Sequence, residues 1–178
     1  MSHNGRVEYL RSYLHDAGFA PSVALVVIFY ALLRGVRDTM RRVALLSLPG
    51  TIAHELTHLV VGFLVHAKPH GFSIWPRRSG NGWILGSVSF RNIGLLNGAF
   101  VAFAPLLVLP IAWLCLIHVL MPLWIEGQFG WWLLAGYLAA TALFAALPSL
   151  QDIKLGGLSL LLYAAISVLL WWAYAHAL

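Results

Sequence analysis

The stretch Thr51-Ile-Ala-His54-Glu55-Leu-Thr-His58-Leu-Val-Val-Gly62 is an apolar run that carries two histidines four residues apart. Residues at this spacing lie on one face of an α-helix, so the imidazoles of His54 and His58 can bind a single metal ion. Glu55 directly follows the first histidine, where its carboxylate can act as general base on a metal-activated water. Zinc is the expected metal, because imidazole suits it and its catalytic sites have three protein ligands. The alternative is a pair of hydrogen-bonded core histidines.

The composition around this motif is strongly apolar. Of the 178 residues, 61% are hydrophobic and only 10% are charged, whereas soluble domains carry about 25% charged residues. We therefore expect one polytopic membrane domain over residues 1–178, embedded in a lipid bilayer. The net charge of +5 does not indicate a nucleic-acid partner, because the basic residues lie between apolar runs, where they anchor and orient helices. A single cysteine, Cys115, excludes an internal disulfide.

Five apolar runs predict transmembrane helices, which need about 17–25 residues each. The runs cover residues 17–33, 43–66, 93–120, 131–147 and 157–178. A short amphipathic surface helix is expected over residues 1–16. In the second run, Pro49 and Gly50 precede His54 by about one turn, so the regular helix is expected to begin near Pro49. The predicted fold class is an all-α membrane protein with about five transmembrane helices.

Residues 67–92 differ from the apolar runs on either side. Residues 72–75 and 83–90 have the composition of strands, and residues 77–82 between them are rich in turn formers. We expect a β-hairpin over residues 71–90, with a plain loop as the alternative. The edge of such a hairpin, where Ser87 lies, can bind an extended peptide by strand addition.

The lysines and arginines outside the runs predict an orientation. With a cytoplasmic N-terminus, seven of these residues lie on the cytoplasmic side and the four arginines of residues 34–42 lie on the other. Basic residues are in excess on the cytoplasmic side of membrane proteins, so the count favours a cytoplasmic N-terminus. The same orientation brings the end of the motif helix, the hairpin and Asp152 to one side of the bilayer.

A catalytic zinc site needs a third protein ligand in addition to the two histidines. His66 shares their helix face, but it lies eight residues beyond His58, about 12 Å along the helix, which a metal bond of about 2 Å cannot bridge. Asp152 is the favoured candidate, because it lies in a polar break between two apolar runs, and ionisable residues there usually have a function. A cap of the fifth helix is its alternative role, and His118 remains open as a ligand.

This combination of features resembles the site-2 protease group of intramembrane zinc metalloproteases, over roughly residues 43–165. In that family the H-E-x-x-H helix precedes a hairpin, and the third ligand is an Asp in an L-D-G motif after a Pro-rich break. Leu147-Pro148-Ser149-Leu150-Gln151-Asp152 is similar to this break in its Pro and its Asp. Ile153 stands where the family has Gly, and the family's Asn before the break is absent. Asn97 and Ser149 are candidates to replace that Asn as the oxyanion donor.

The resemblance implies an intramembrane zinc metalloprotease that hydrolyses peptide bonds of membrane proteins or peptides. His54, His58 and Asp152 would hold Zn²⁺, while Glu55 would take a proton from water and deliver it to the leaving amine. Two other classes remain open: a non-proteolytic membrane protein that retains the zinc site, and a transporter that uses the His/Glu cluster. The transporter is disfavoured, because the polar residues cluster at one point and do not line a path.

Overall fold

The computed structural model describes residues 17–36, 40–75, 77–79 and 82–177, and these are mostly helical. The surface helix expected over residues 1–16 lies outside the described residues. The elements are, in chain order, α1 (Phe19–Gly35), α2 (Met40–Leu46), α3 (Leu48–Leu64), β1 (Pro69–Ser73), β2 (Arg77–Ser79), β3 (Gly82–Ile84), β4 (Ser87–Phe90), α4 (Gly98–Ala102), a 3₁₀ turn (Ala104–Leu107), α5 (Val108–Cys115), a π-helical turn (Leu116–Leu120), α6 (Met121–Ile125), α7 (Phe129–Ala145) and α8 (Leu150–Ala177).

The chain forms two compact units. Of the described residues, the first unit comprises those up to Thr51 together with Val108–Ala146, and the second comprises those from Ile52 to Leu107 together with those from Leu147 onward. The motif histidines, the hairpin and Asp152 all belong to the second unit.

In the first unit, α1 and α7 pack closely through small and polar side chains. Gly136 of α7 lies so near Leu25 of α1 that a Cβ atom would overlap the leucine side chain. The indole N–H of Trp132 donates a hydrogen bond to the hydroxyl of Ser22, over 3.0 Å. Close backbone approach at small residues is typical of helix packing in membranes, where interhelical hydrogen bonds add to it.

The start of the motif helix is determined by the Pro49-Gly50 pair. Helix α3 begins at Leu48, beside the predicted start at Pro49. A proline in the first turn costs no hydrogen bond, because the first N–H groups of a helix have no intrahelical partner. Gly50 lies against the backbone carbonyl of Thr141, where a Cβ atom has no room. The interruption in the apolar run therefore marks the beginning of a helix that continues through His54 and His58.

The predicted hairpin is present, but its strands differ from those expected. Two antiparallel ladders, β1 with β4 and β2 with β3, lie one after the other along the hairpin. The predicted strand over residues 83–90 is wrong as a continuous element, because Leu85 and Gly86 interrupt it. The predicted strand over residues 72–75 is shifted, since β1 covers Pro69–Ser73. A glycine inside a strand weakens it and often marks a close approach of the backbone to another group.

The hairpin is attached to the C-terminal end of α3. A Cβ atom on Gly62 of α3 would overlap the ring of Phe90 in β4, so helix and strand are in close contact. Beyond the strands, the N–H of Arg91 donates to the carbonyl of Lys68, and the N–H of Asn92 donates to that of Ala67. These contacts hold the hairpin beside the helix that carries the motif.

The predicted third span does not begin as a helix. Residues 93–97 form a turn, which Asn97 closes by accepting a hydrogen bond from the N–H of Gly94 and donating one to the carbonyl of Asn92. Among the residues that the structure describes, two helices are long and apolar enough to cross a membrane, Ala104–Ile125 and Leu150–His176, while α1 and α7 are shorter apolar helices. The helical class and the small sheet are confirmed, and the number of five transmembrane helices stays a prediction.

Candidate metal centre

His54, His58 and Asp152 bring one ligand atom each to a common point in the second unit. Their ligand atoms all lie within 4.8 Å of one another. The two histidine Nε2 atoms are 3.1 Å apart. Oδ1 of Asp152 lies 3.2 Å from Nε2 of His58, and Oδ2 of Asp152 lies 3.5 Å from Nε2 of His54. The arrangement brings together the two predicted imidazoles and the favoured third ligand.

These separations fit a tetrahedral metal centre. Zinc binds histidine nitrogen and carboxylate oxygen at about 2.0–2.2 Å, so two ligand atoms on a tetrahedral ion lie roughly 3.3–3.6 Å apart. The two Nε2 atoms are 3.1 Å apart, and each lies near this distance from one oxygen of Asp152, at 3.2 Å from Oδ1 for His58 and at 3.5 Å from Oδ2 for His54. The three side chains are only 5–14% exposed. Two imidazoles and one carboxylate in this geometry can therefore hold a metal ion, and the donor set suits zinc.

The two histidines occupy this position because α3 is regular through the motif. They are one turn apart on one helix face, and their rings meet edge to face with centroids 4.8 Å apart. His58 is almost completely buried. Its Nδ1 atom lies 2.8 Å from the backbone carbonyl of Val101 in α4. A carbonyl oxygen can only accept a hydrogen bond, so Nδ1 carries the proton and, in the neutral ring, Nε2 keeps its lone pair for a metal.

Asp152 is positioned by a capping box at the start of α8. The N–H of Ser149 donates to Oδ2 of Asp152 over 2.7 Å, and the N–H of Asp152 donates to the hydroxyl of Ser149 over 3.2 Å. This reciprocal pair is the S/T-x-x-E/Q arrangement with Asp in the fourth position. Helix α8 follows this capping box and begins at Leu150, seven residues before the predicted fifth run, which begins at residue 157. The two alternative roles of Asp152 are compatible, because one carboxylate caps the helix and also faces the histidines.

Helix α4 is in contact with both parts of the site. It accepts the hydrogen bond from His58 through Val101, and the N–H of its Ala99 donates to the hydroxyl of Ser159 in α8, over 2.9 Å. Gly156 of α8 packs directly on Ala102 of α4, leaving no room for a Cβ atom. Sequence reasoning missed the role of α4. The available signal was the pair of small residues four apart, Gly98 and Ala102, which is typical of close helix packing in membranes.

Glu55 follows His54 directly in the sequence. Its side chain is buried and contacts the hairpin. It is 6% exposed, and its carboxyl arm lies against the backbone at Gly86. The burial of this carboxylate directly after a candidate metal ligand in the sequence is recorded by the structure, and its role as general base stays a prediction.

The other predicted site residues are not part of the group formed by His54, His58 and Asp152. The amide of Asn97 closes the turn before α4, and Ser149 caps α8. Ser87 pairs with Ser73 in the ladder of β1 and β4. His66 follows α3 and is exposed, and His118 lies in the π-helical turn of the first unit. The oxyanion roles of Asn97 and Ser149 and a substrate contact at Ser87 stay predictions.

No protein-family model, curated protein or solved structure matches this chain. The described residues define a candidate metal centre of two imidazoles and one carboxylate, inside a mostly helical chain with apolar helices long enough to span a bilayer.

Proposed function

We propose that this chain is an intramembrane zinc metalloprotease of the site-2 protease type. The observation that carries the proposal is the group of His54, His58 and Asp152, whose ligand atoms, one from each residue, all lie within 4.8 Å of one another. The proposal is supported further by a buried glutamate directly after the first histidine, because hydrolysis at a zinc site needs a base close to the ion.

Each residue of the site has a separate task in peptide hydrolysis. His54, His58 and Asp152 would hold the ion. Bound Zn²⁺ supplies a water with lowered pKa and polarises the scissile carbonyl. The carboxylate of Glu55 accepts a proton from the attacking water and delivers it to the leaving amine as the C–N bond breaks. The carbonyl of Val101 orients His58 in the tautomer that leaves Nε2 for the metal.

A membrane location is supported by the side chains that α8 exposes. Leu169, Leu170, Trp171 and Trp172 are each more than half exposed. Contiguous apolar surface of this kind indicates contact with lipid or with another protein, and tryptophans are enriched at membrane interfaces. We place the protein in the bilayer as a multi-pass protein with a cytoplasmic N-terminus, where its substrates are membrane proteins or membrane-associated peptides.

An extended peptide is the form of substrate that the hairpin favours. Helices hide their carbonyl groups in internal hydrogen bonds, so a helical substrate must unwind before its backbone can be attacked. The ladder of β1 and β4 contains two strands, and a small sheet of this kind can take up an extended peptide by strand addition. The hairpin is attached to α3 through Phe90 and Gly62, on the helix that carries Glu55.

The proposal is tested with the purified full chain in detergent and in vesicles. Elemental analysis should find about one zinc per chain. A model substrate with one transmembrane segment should be cleaved, a chelator should stop cleavage, and added zinc should restore it. Zinc at full occupancy without cleavage of any membrane substrate would favour the second candidate, a non-proteolytic zinc-binding membrane protein. One observation favours that candidate. The Asn97 side chain, a candidate oxyanion donor, already bonds the backbone of Gly94 and Asn92 in its own turn.

A further inference from the structure

The backbone of Gly86 passes directly against the side chain of Glu55. Gly86 lies in the interruption between β3 and β4. A Cβ atom on Gly86 would lie 2.6 Å from Cγ, 2.7 Å from Oε1 and 2.9 Å from Cδ of Glu55. Carbon atoms in favourable contact are about 3.5–4.0 Å apart. Position 86 therefore admits only glycine while Glu55 keeps its present conformation.

Glycine is needed at position 86 because of the limited space beside Glu55, and not because of the backbone conformation. Among the described glycines a positive φ is recorded for Gly127, at 70°, and not for Gly86. An alanine at position 86 therefore does not have to adopt the left-handed backbone conformation that favours glycine. The three heavy atoms nearest to an added methyl group all belong to Glu55. This makes a single substitution an unusually clean probe of the contact.

We propose that Gly86 is a positioning residue for the general base. That Glu55 is the general base rests on the proposed function. That Gly86 restricts the position of the Glu55 side chain rests on the contact between the two residues. A glutamate side chain has three rotatable bonds, so its carboxylate can occupy many positions unless the surroundings restrict it. Glu55 is buried, and the Gly86 backbone lies against its Cγ, Cδ and Oε1 atoms. The hairpin thus holds the carboxylate at one place beside the histidines.

Fixed placement matters, because a general base acts only within hydrogen-bonding distance of the proton that it accepts. A misplacement of about 1 Å can lower a rate by about 10²-fold. We therefore expect Gly86→Ala to lower kcat by about 10²-fold, to leave KM within about twofold of the wild-type value and to leave zinc content unchanged.

The matched control is Gly94→Ala. Gly94 also lies outside helices and strands in the second unit, but a Cβ atom there meets nothing within 4 Å. Its backbone N–H, which donates to Asn97, is retained in alanine. The control should keep wild-type kcat, KM and zinc content.

A second readout does not depend on activity. Gly86→Ala is introduced into the wild type, into Glu55→Gln and into Glu55→Ala, and thermal unfolding of each full chain is measured in detergent. Glutamine keeps the Cγ and Cδ atoms that the new methyl group would meet, whereas alanine removes them. We expect Gly86→Ala to lower Tm by roughly 2–12 °C in the first two backgrounds and to leave Tm unchanged in the Glu55→Ala background.

Each other outcome overturns the inference. Equal losses of Tm in all three backgrounds would mean that the methyl group meets something other than Glu55. No loss in any background would mean that the side chain of Glu55 moves aside freely and is not held. A wild-type kcat in Gly86→Ala would remove the catalytic consequence. If the unfolding cycle gives the expected pattern but the wild type cleaves no substrate, the proposed function fails and the contact between Gly86 and Glu55 stands.

Discussion

The Nδ1 atom of His58 donates a hydrogen bond to the carbonyl of Val101 over 2.8 Å, and this fixes which ring nitrogen faces Asp152. A metal-binding histidine commonly makes such a bond with its second nitrogen, which sets the tautomer and the ring orientation. Because Val101 belongs to α4, which also packs on α8 through Ala102 and Gly156, one short helix contacts both the histidine and the helix that carries the aspartate. The geometry of the centre therefore depends on α4 as much as on the motif.

Glu55→Gln should abolish proteolysis while zinc binding and folding are kept. The amide cannot accept a proton from water, and the loss of a general base typically lowers a rate by about 10²–10⁴-fold. Substrate cleavage measures the loss of proteolysis, and elemental analysis of the same preparation measures the retained zinc. Glu126→Gln is the control, because Glu126 is exposed and belongs to the first unit. Near wild-type cleavage by Glu55→Gln would remove Glu55 from the mechanism.

Asp152→Ala should lower zinc occupancy and activity together. The substitution removes one of three ligands, and two histidines alone do not make a stable catalytic zinc site. Lys154→Ala, two residues further along the first turn of α8, is the control and should keep both. Elemental analysis of the two variants beside the wild type makes the comparison. Full zinc content in Asp152→Ala would show that the carboxylate only caps the helix, and His118 would be the next residue to substitute.

Ser149→Ala separates the capping role of Asp152 from its role as a ligand. The variant loses the hydroxyl that accepts the N–H of Asp152, but it keeps the carboxylate and the backbone N–H of residue 149. We expect an affinity for zinc about 10-fold lower, as for other outer-shell partners, and a loss of about 1 kcal/mol in stability from the cap. Competition with a chromogenic chelator measures the affinity. Ser149→Thr should retain wild-type affinity, and a wild-type affinity in Ser149→Ala would contradict the positioning role.

The parts of the site that the sequence predicted are those with a local signature. His54 and His58 are four residues apart, so helix geometry alone puts their rings on one face. Asp152 was indicated by the polar break and by the resemblance of residues 147–152 to a known motif. The hydrogen bond to Val101 had no signature, because every residue has a backbone carbonyl and only the packed structure selects one.

The strands of the hairpin are a second feature that the local sequence pattern predicted only in part. Alternating and β-branched residues over 83–90 favour a continuous strand, and Gly86 was the single local sign against it. At the interruption Gly86 contacts Glu55, which lies 31 positions earlier in the sequence, and local patterns do not reveal a contact of this range. Similarly, the earlier start of α8 follows from the capping box at Ser149 and Asp152, which apolar runs do not reveal.

Gly156→Leu should lower zinc occupancy although position 156 holds no ligand. A Cβ atom on Gly156 has no room between Ala102 and the carbonyl of Gly98, so a leucine must move α8 away from α4. Overpacking of this kind typically costs about 1–3 kcal/mol, and here the displaced helix carries Asp152 one turn before the substitution. We expect weaker zinc binding together with a lower Tm.

The neighbouring glycine provides the matched control for this prediction. A Cβ atom on Gly157 meets nothing within 4 Å, so Gly157→Leu adds the same side chain to the same helix turn without the overlap that a Cβ atom meets at position 156. It should keep wild-type zinc occupancy, and its Tm should not fall, because leucine favours helix more than glycine by roughly 0.5–1 kcal/mol. Zinc titration and thermal unfolding of the pair, side by side, measure both effects. Equal zinc affinities in the two variants would mean that the contact between α4 and α8 does not position Asp152.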